Sequence, residues 1–380
     1  MKPMAQGRSD FWELERTNRR ETVELVAVFL VLFCALGFGL DFVIGTLRII
    51  DGRLIGFPVL TIAALVIGSI QALASFYGGA GMVLASVHAR PLMPDSPKHQ
   101  MVIDVVQEMA VAAQMPVPHA YIIDDEAPNA FATGRDPQHS VICVTQGLVD
   151  TMDREELQGV LGHEMAHIRD YDIRTMMMIA VLVGGVAMLA DFVRRWMWYG
   201  GFGGGGRRGG SRDEGGNAGA LIAIAVLVLA VLAPIFSQLI AMAVSRQREY
   251  LADAASVEFT RNPRALLRAL ERIAQTESPL KAASRGAAHL FIVNPLEGTQ
   301  EDDEGLLDNL LSTHPPLSRR IARLHALLGE APPAAPADAA AAAQSTNVSR
   351  PRDSSASVFL WIVLGVALGT IVAALVVLFQ

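Results

Sequence analysis

Five stretches of the chain are apolar for long enough to be set against the roughly 20 residues that a helix needs to cross a bilayer core. They are 25–44, 57–85, 176–193, 218–244 and 358–379. Asp41 sits near the end of the first and Pro58 at the start of the second, whereas the last two carry no charge at all. Asp191 interrupts the third, which is the weakest of the set. The pattern predicts four full spans and one marginal one. Lys2, Arg8, Arg16, Arg19 and Arg20 precede the first span. Its length and the lack of a small-residue cleavage site predict a retained anchor rather than a signal peptide. The positive-inside bias then puts the N-terminus in the cytoplasm, and two crossings bring the chain back there near His88.

Between the spans the pattern changes. Val102, Val105, Val106 and Met109 recur at helical spacing and predict an amphipathic helix over about 100–113. The runs 119–123 and 140–144 are rich in Val, Ile and Tyr between Pro, Asp and Gly, as short strands are. Residues 129–134 between them read either as an edge segment or as a turn built on Asn129. The Gly- and Arg-rich 200–216 and the Ala-, Pro- and Ser-rich 331–357 cannot bury a core and read as linkers. The expected organisation is an N-terminal segment 1–22, two transmembrane helices within 23–87, a catalytic domain 88–325 interrupted by a hydrophobic hairpin (176–193 and 218–244), a linker 326–357 and a last span 358–379.

Composition agrees. Of the 380 residues 52% are hydrophobic, which favours a membrane protein. A formal net charge of -7 argues against a nucleic-acid partner. The two cysteines, Cys34 and Cys143, fit neither a disulfide framework nor a thiolate metal site.

The chemistry-bearing motif is His163-Glu164-Met165-Ala166-His167, the HExxH pattern of zinc hydrolases. Asp153 followed by Glu156 reads as a capping box, and Leu157, Val160 and Leu161 form an apolar face leading into it, so a helix is expected on local grounds. Residues four apart on a helix are about 40° apart around its axis, so both imidazoles can face one ion, with Glu164 beside it. Zinc lowers the pKa of its water to about 7, and a carboxylate within reach can take the proton as a carbonyl is attacked. Glu164 is the expected base. A catalytic zinc needs a third ligand, and the candidate is Glu249 in the run from Ser245 to Asp253, directly after the fourth apolar segment.

Together with the HEMAH motif, three further runs give the chain a family resemblance. Ser245-Arg246-Gln247-Arg248-Glu249-Tyr250-Leu251-Ala252-Asp253, Asn129-Ala130-Phe131-Ala132-Thr133-Gly134 and Ser312-Thr313-His314-Pro315-Pro316 resemble the HtpX family of bacterial membrane zinc metalloproteases, relatives of the CAAX prenyl proteases. The resemblance covers roughly residues 20–325. It implies a multi-span α-helical membrane protein with a small α+β zincin-like (gluzincin) domain. It implies one Zn2+ per chain on His163, His167 and Glu249, with Asp253 orienting a ligand histidine. Asn129 and Ala130 would belong to an edge strand that pairs with substrate, and His314 matches a position that could stabilise an oxyanion. For His314 the alternative is the start of the helix after Pro315 and Pro316. The partners implied are polypeptide substrates, chiefly membrane proteins, and the lipid bilayer. The place implied is the bacterial inner membrane, with the catalytic domain facing the cytoplasm and a role in protein quality control. A prenyl-peptide protease and a catalytically silent membrane scaffold are the rival readings.

The ligands must share one side of the membrane, so the hairpin between His167 and Glu249 has to cross twice or not at all. If the ligand helices run on into the apolar segments, the site lies close to the bilayer. Arg194, Arg195, Arg207, Arg208 and Arg212 in the connection, against only Asp213 and Glu214, leave open both a crossing hairpin and a re-entrant one.

Overall fold

A computed structural model describes residues 6–182, 195, 246–276, 290–293 and 315–330. His314, most of the predicted hairpin, the linkers and the last span lie outside these described residues. The chain divides into two compact units, one of 1–22, 75–181 and 241–352 and the other of 23–74, 182–240 and 353–380.

α1 (Gln6–Ile44) begins in the first unit and enters the second at Val23. There the chain turns through the hairpin β1 (Leu47–Ile50) and β2 (Arg53–Gly56) and enters α2 (Val59–Ser86), which from Ser75 on belongs to the first unit again. The hairpin closes on Asp51 and Gly52, at φ 52° and 70°, as a two-residue turn with both central residues left-handed requires. Asp41, anomalous in an apolar run, has a local task. Its carboxylate accepts from the Leu60 and Thr61 backbone N–H groups, both at 2.9 Å, and so satisfies the start of α2. The stretches Asn18–Phe42 and Val59–Ser86, of 25 and 28 residues, are long and apolar enough to cross a membrane. Only 11% of the most apolar window of α2 is buried, so membership of a soluble core does not account for its composition.

The first unit is built on a four-stranded sheet in the order β3 (Arg90–Pro91), β4 (His119–Ile123), β6 (Ser140–Thr145), β5 (Ala130–Gly134). β4 and β6 are parallel and the two outer pairings are antiparallel. The predicted strands are therefore present, and within 129–134 residues Ala130–Gly134 form an edge strand rather than a turn. Alternate residues of β6 face opposite layers. Ile142 and Val144 join a core with α3 (Pro97–Ala112), α5 (Arg154–Arg169) and α8 (Pro263–Ala274), whereas Val141 and Cys143 pack with Val83, Val87, Phe131, Met176 and Phe291. The predicted face of α3, Val102, Val105, Val106 and Met109, is buried in the first of these cores.

The short helix α4 (Gln146–Thr151) leads to α5, whose capping box is complete. Asp153 accepts from the Glu156 N–H, Glu156 accepts from the Asp153 N–H, and both bonds are 2.9 Å. One expectation is corrected here. α5 does not run on into the third apolar segment. It stops at Arg169, Tyr171 takes a left-handed φ of 62°, and a separate helix, α6, begins at 172 and is described to 182. The break brings Asp172 back toward His167. α7 (Arg246–Thr260), α8 and α9 (Leu317–Leu328) complete the described unit.

Candidate metal centre

Small side chains set the site. Gly162 and Ala166 on α5 face Ala252, Ala255 and Ser256 on α7, and Ser256 Oγ donates to the Gly159 carbonyl at 2.6 Å. On α7 the buried residues Glu249, Ala252, Asp253 and Ser256 fall at i, i+3, i+4 and i+7, a single helical stripe, while Leu251 is exposed. Close approach of the two helices thus carries Glu249 to the histidines, although 81 positions separate it from His167 in the chain.

The three ligand atoms lie within 4.8 Å of one another. His163 Nε2 is 3.2 Å from His167 Nε2, and the two approach different oxygens of Glu249, His163 lying 3.5 Å from Oε2 and His167 3.5 Å from Oε1. Bonds of 2.0–2.2 Å at tetrahedral angles set neighbouring ligand atoms about 3.3–3.6 Å apart, and each of these three approaches is close to that separation. The rings stand nearly perpendicular, at 87°. Their far nitrogens are both engaged. Asp253 Oδ1 lies 3.0 Å from His163 Nδ1 and Asp172 Oδ2 lies 3.1 Å from His167 Nδ1. A carboxylate on Nδ1 fixes the tautomer that leaves Nε2 free to ligate.

Arg320, on α9 and 1% exposed, closes the group. Its Nη2 and Nε donate to the two oxygens of Asp253 at 2.6 and 3.0 Å, and its Nη1 donates to the Ile292 carbonyl and sits 3.3 Å from Glu249. Burial acts against charge on all these groups, yet the field among them reverses it for several. It is the largest influence on Asp253, but Arg320 and His163 outweigh it and hold the carboxyl below its ordinary range. Burial likewise opposes charge on both histidines and on Arg320. Asp253 and Glu249 raise His163 against both its burial and the Arg320 charge, Asp172 and Glu249 raise His167, and Asp253 and Glu249 raise Arg320. Glu164, 2% exposed, is raised by its burial.

His163, Glu164, His167, Glu249 and Asp253 are brought together, as the sequence reading expected. Asp172 and Arg320 were missed. Asp172 could have been suspected as a carboxylate five residues beyond a candidate ligand, whereas Arg320 carried no signal, being one of several arginines on an amphipathic helix. Asn129 and Ala130 stand at the start of the edge strand, but both are already engaged. The Ala130 carbonyl accepts from Ile292 N–H at 2.9 Å, and Asn129 Nδ2 donates to the Val293 carbonyl at 2.9 Å.

The model of the family described as peptidase family M48 matches residues 96–328. The chain is 39% identical over 311 residues to a protease HtpX homolog of Lactobacillus helveticus, covering 81% of this chain and 96% of that protein. A protease HtpX homolog of Caldanaerobacter subterraneus is 44% identical over 246 residues, 65% of this chain and 77% of the relative. Among solved structures, S. mikatae Ste24p aligns with a TM-score of 0.43 at 20% identity, over 82% of this chain and 66% of that one. Matched across its catalytic motif by the family model and along most of its length by HtpX homologues, the chain belongs to peptidase family M48 and is a membrane-associated metalloprotease.

Proposed function

We propose that the chain is a multi-pass, zinc-dependent endopeptidase of the bacterial inner membrane. Its catalytic unit faces the cytoplasm and clears misfolded membrane proteins. The observation that carries the chemistry is the buried cluster of His163, His167 and Glu249, whose ligand atoms lie within 4.8 Å of one another, with a buried Glu164 on the same helix turn.

In this reading His163, His167 and Glu249 hold the zinc, while Asp253 and Asp172 keep the two rings aimed. Zinc bound there would supply a Lewis acid that activates a water or polarises the substrate carbonyl. Glu164 receives the proton of the attacking water and passes it to the leaving amine, and its burial, which raises its pKa, suits a group that must hold a proton between the two steps. His314 donates to the oxyanion. An extended substrate adds to the outer edge of β5. The Thr145 N–H pairs with the Asn129 carbonyl, so by alternation the backbone groups of Ala130 and Ala132 point outward. Ile292 occupies the Ala130 carbonyl, and substrate pairing is therefore centred on Ala132.

The test compares wild type with Glu164→Gln, both purified in detergent, for bound zinc per chain and for cleavage of unfolded casein after zinc addition. Retained zinc with cleavage reduced by about 10²–10⁴-fold is expected. Equal cleavage by both proteins would leave Glu164 without its role, and no cleavage by either would favour the silent scaffold. Cleavage confined to a peptide with a lipidated C-terminal cysteine would favour the prenyl-peptide protease.

A further inference from the structure

Asp172, which aims His167, is itself held by a residue from far along the chain. Asn18 lies on α1, five residues before Val23, and its side chain is buried. Its amide nitrogen donates to Asp172 Oδ1 at 2.8 Å and to the Asp170 carbonyl at 2.5 Å. A primary amide has two N–H donors, and here both are spent on the two residues that flank Tyr171, whose left-handed backbone separates α5 from α6. Asp172 Oδ1 is approached again by Arg248 Nε at 3.5 Å, and Arg248 pairs with Glu21 of α1. Asp172 Oδ2 is thereby left to His167 Nδ1. A third contact joins the same elements without reaching Asp172, for Thr22 Oγ1 lies 2.8 Å from Thr175 Oγ1.

We propose that Asn18 is a positioning residue of the metal centre, acting through Asp172 on His167, so that the segment ahead of the first apolar stretch sets the metal affinity of a site more than 140 positions away. The inference rests on the reading of His163, His167 and Glu249 as zinc ligands. Asn suits the task because it alone among residues of its size offers two donors from one atom. Aspartate, its isostere, offers none when ionised and would face Asp172 with a like charge.

The experiment uses the full chain in detergent and titrates Zn2+ against a coloured chelator. Loss of an outer partner of a ligating histidine weakens metal binding by about 10–100-fold, and Asn18→Ala is expected near the lower end, with Asn18→Asp weaker still. Thr22→Val, which loosens the same helix contact without touching Asp172, should stay within about twofold of wild type, because no partner of a ligand is lost. Combined with Asp172→Asn, Asn18→Ala should add almost nothing, since the two residues act in series. Melting temperatures of the metal-free proteins show whether Asn18→Ala has unfolded the unit rather than loosened the site. If Asn18→Ala binds zinc as wild type does, or if Thr22→Val weakens zinc as much, the proposal is overturned. A wild type that binds no zinc overturns the ligand reading first, and this inference with it.

Discussion

Arg320 and Asp253 form a two-pronged ion pair inside the first unit, with contacts of 2.6 and 3.0 Å and both residues buried. The pair is more than an accessory. Asp253 faces His163 with one oxygen while Arg320 also stands over Glu249, so one guanidinium neutralises two carboxylates that would otherwise crowd the metal site. Removing one member of a buried pair leaves an uncompensated charge, at a cost of about 3–5 kcal/mol.

Arg320→Met is therefore expected to destabilise the protein by an amount in that range, read as a shift of the denaturant midpoint in detergent. Arg320→Lys should recover little, because an ammonium cannot span both oxygens of Asp253 or reach Ile292 and Glu249 at the same time. Arg320→Met combined with Asp253→Leu should recover much of the lost stability while still lacking tight metal binding. A single Arg320→Met as stable as wild type would show that the charges are screened by solvent after all.

Gly159 tests how closely the helix bearing the HExxH motif is packed. Glycine to alanine inside a helix ordinarily stabilises by about 1 kcal/mol. Here a Cβ would meet the Leu266 backbone, 2.5 Å from N and 2.7 Å from Cα. Backbone cannot swing aside as a side-chain end can, and overpacking of this kind costs about 1–3 kcal/mol. Packing should win, so Gly159→Ala is expected to lower the melting temperature despite the gain in helix propensity. A rise would mean that α5 and α8 can part without cost.

The elements that were legible in the sequence are those whose determinants are local. The capping box at Asp153 and Glu156, the apolar spacing of α3 and the β-rich runs of β4 and β6 each carry their own signal, and each formed where it was expected. The HExxH spacing also placed both histidines correctly. What could not be read arises from long-range packing. Asp172 reaches His167 only because Tyr171 reverses the chain, and the Asn18 bonds that hold that turn come from the other end of the sequence. Arg320 is buried only because α9 lies over the site. Asp41 looked like a flaw in an apolar helix until α2 placed two N–H groups against it.

Cys143 offers a check on the sheet. It is fully buried on β6 between Phe131 and the second core, and burial pushes its thiol well above the ordinary range. Only the thiolate reacts, so raising the pH to about 9 should not expose it to alkylation. In Cys34→Ser protein, iodoacetamide is expected to label nothing until denaturant is added, after which one site per chain is modified. Rapid labelling of the native protein would mean that the sheet opens readily.

The last prediction concerns the chain between the ligands. His167 and Glu249 approach to 3.5 Å, so the segment joining them begins and ends on one side of the membrane. It holds the apolar stretches 176–193 and 218–244 with an arginine-rich connection between them, and the charge bias alone would keep that connection in the cytoplasm. Because α5 is separated from α6 by the turn at Tyr171, α6 can set out in a direction independent of the helix bearing the HExxH motif, and a crossing pair places no strain on His167. The energetic argument also favours crossing. An uncharged stretch such as 218–244 gains by entering lipid, whereas the glycines around the arginines impose no structure that would resist translocation. Ser211→Cys in a Cys34→Ser, Cys143→Ser background is therefore expected to react with a membrane-impermeant maleimide in intact cells. Protection in intact cells, with labelling only after lysis, would instead describe a re-entrant hairpin and leave the first, second and last apolar segments as the only candidates for full spans.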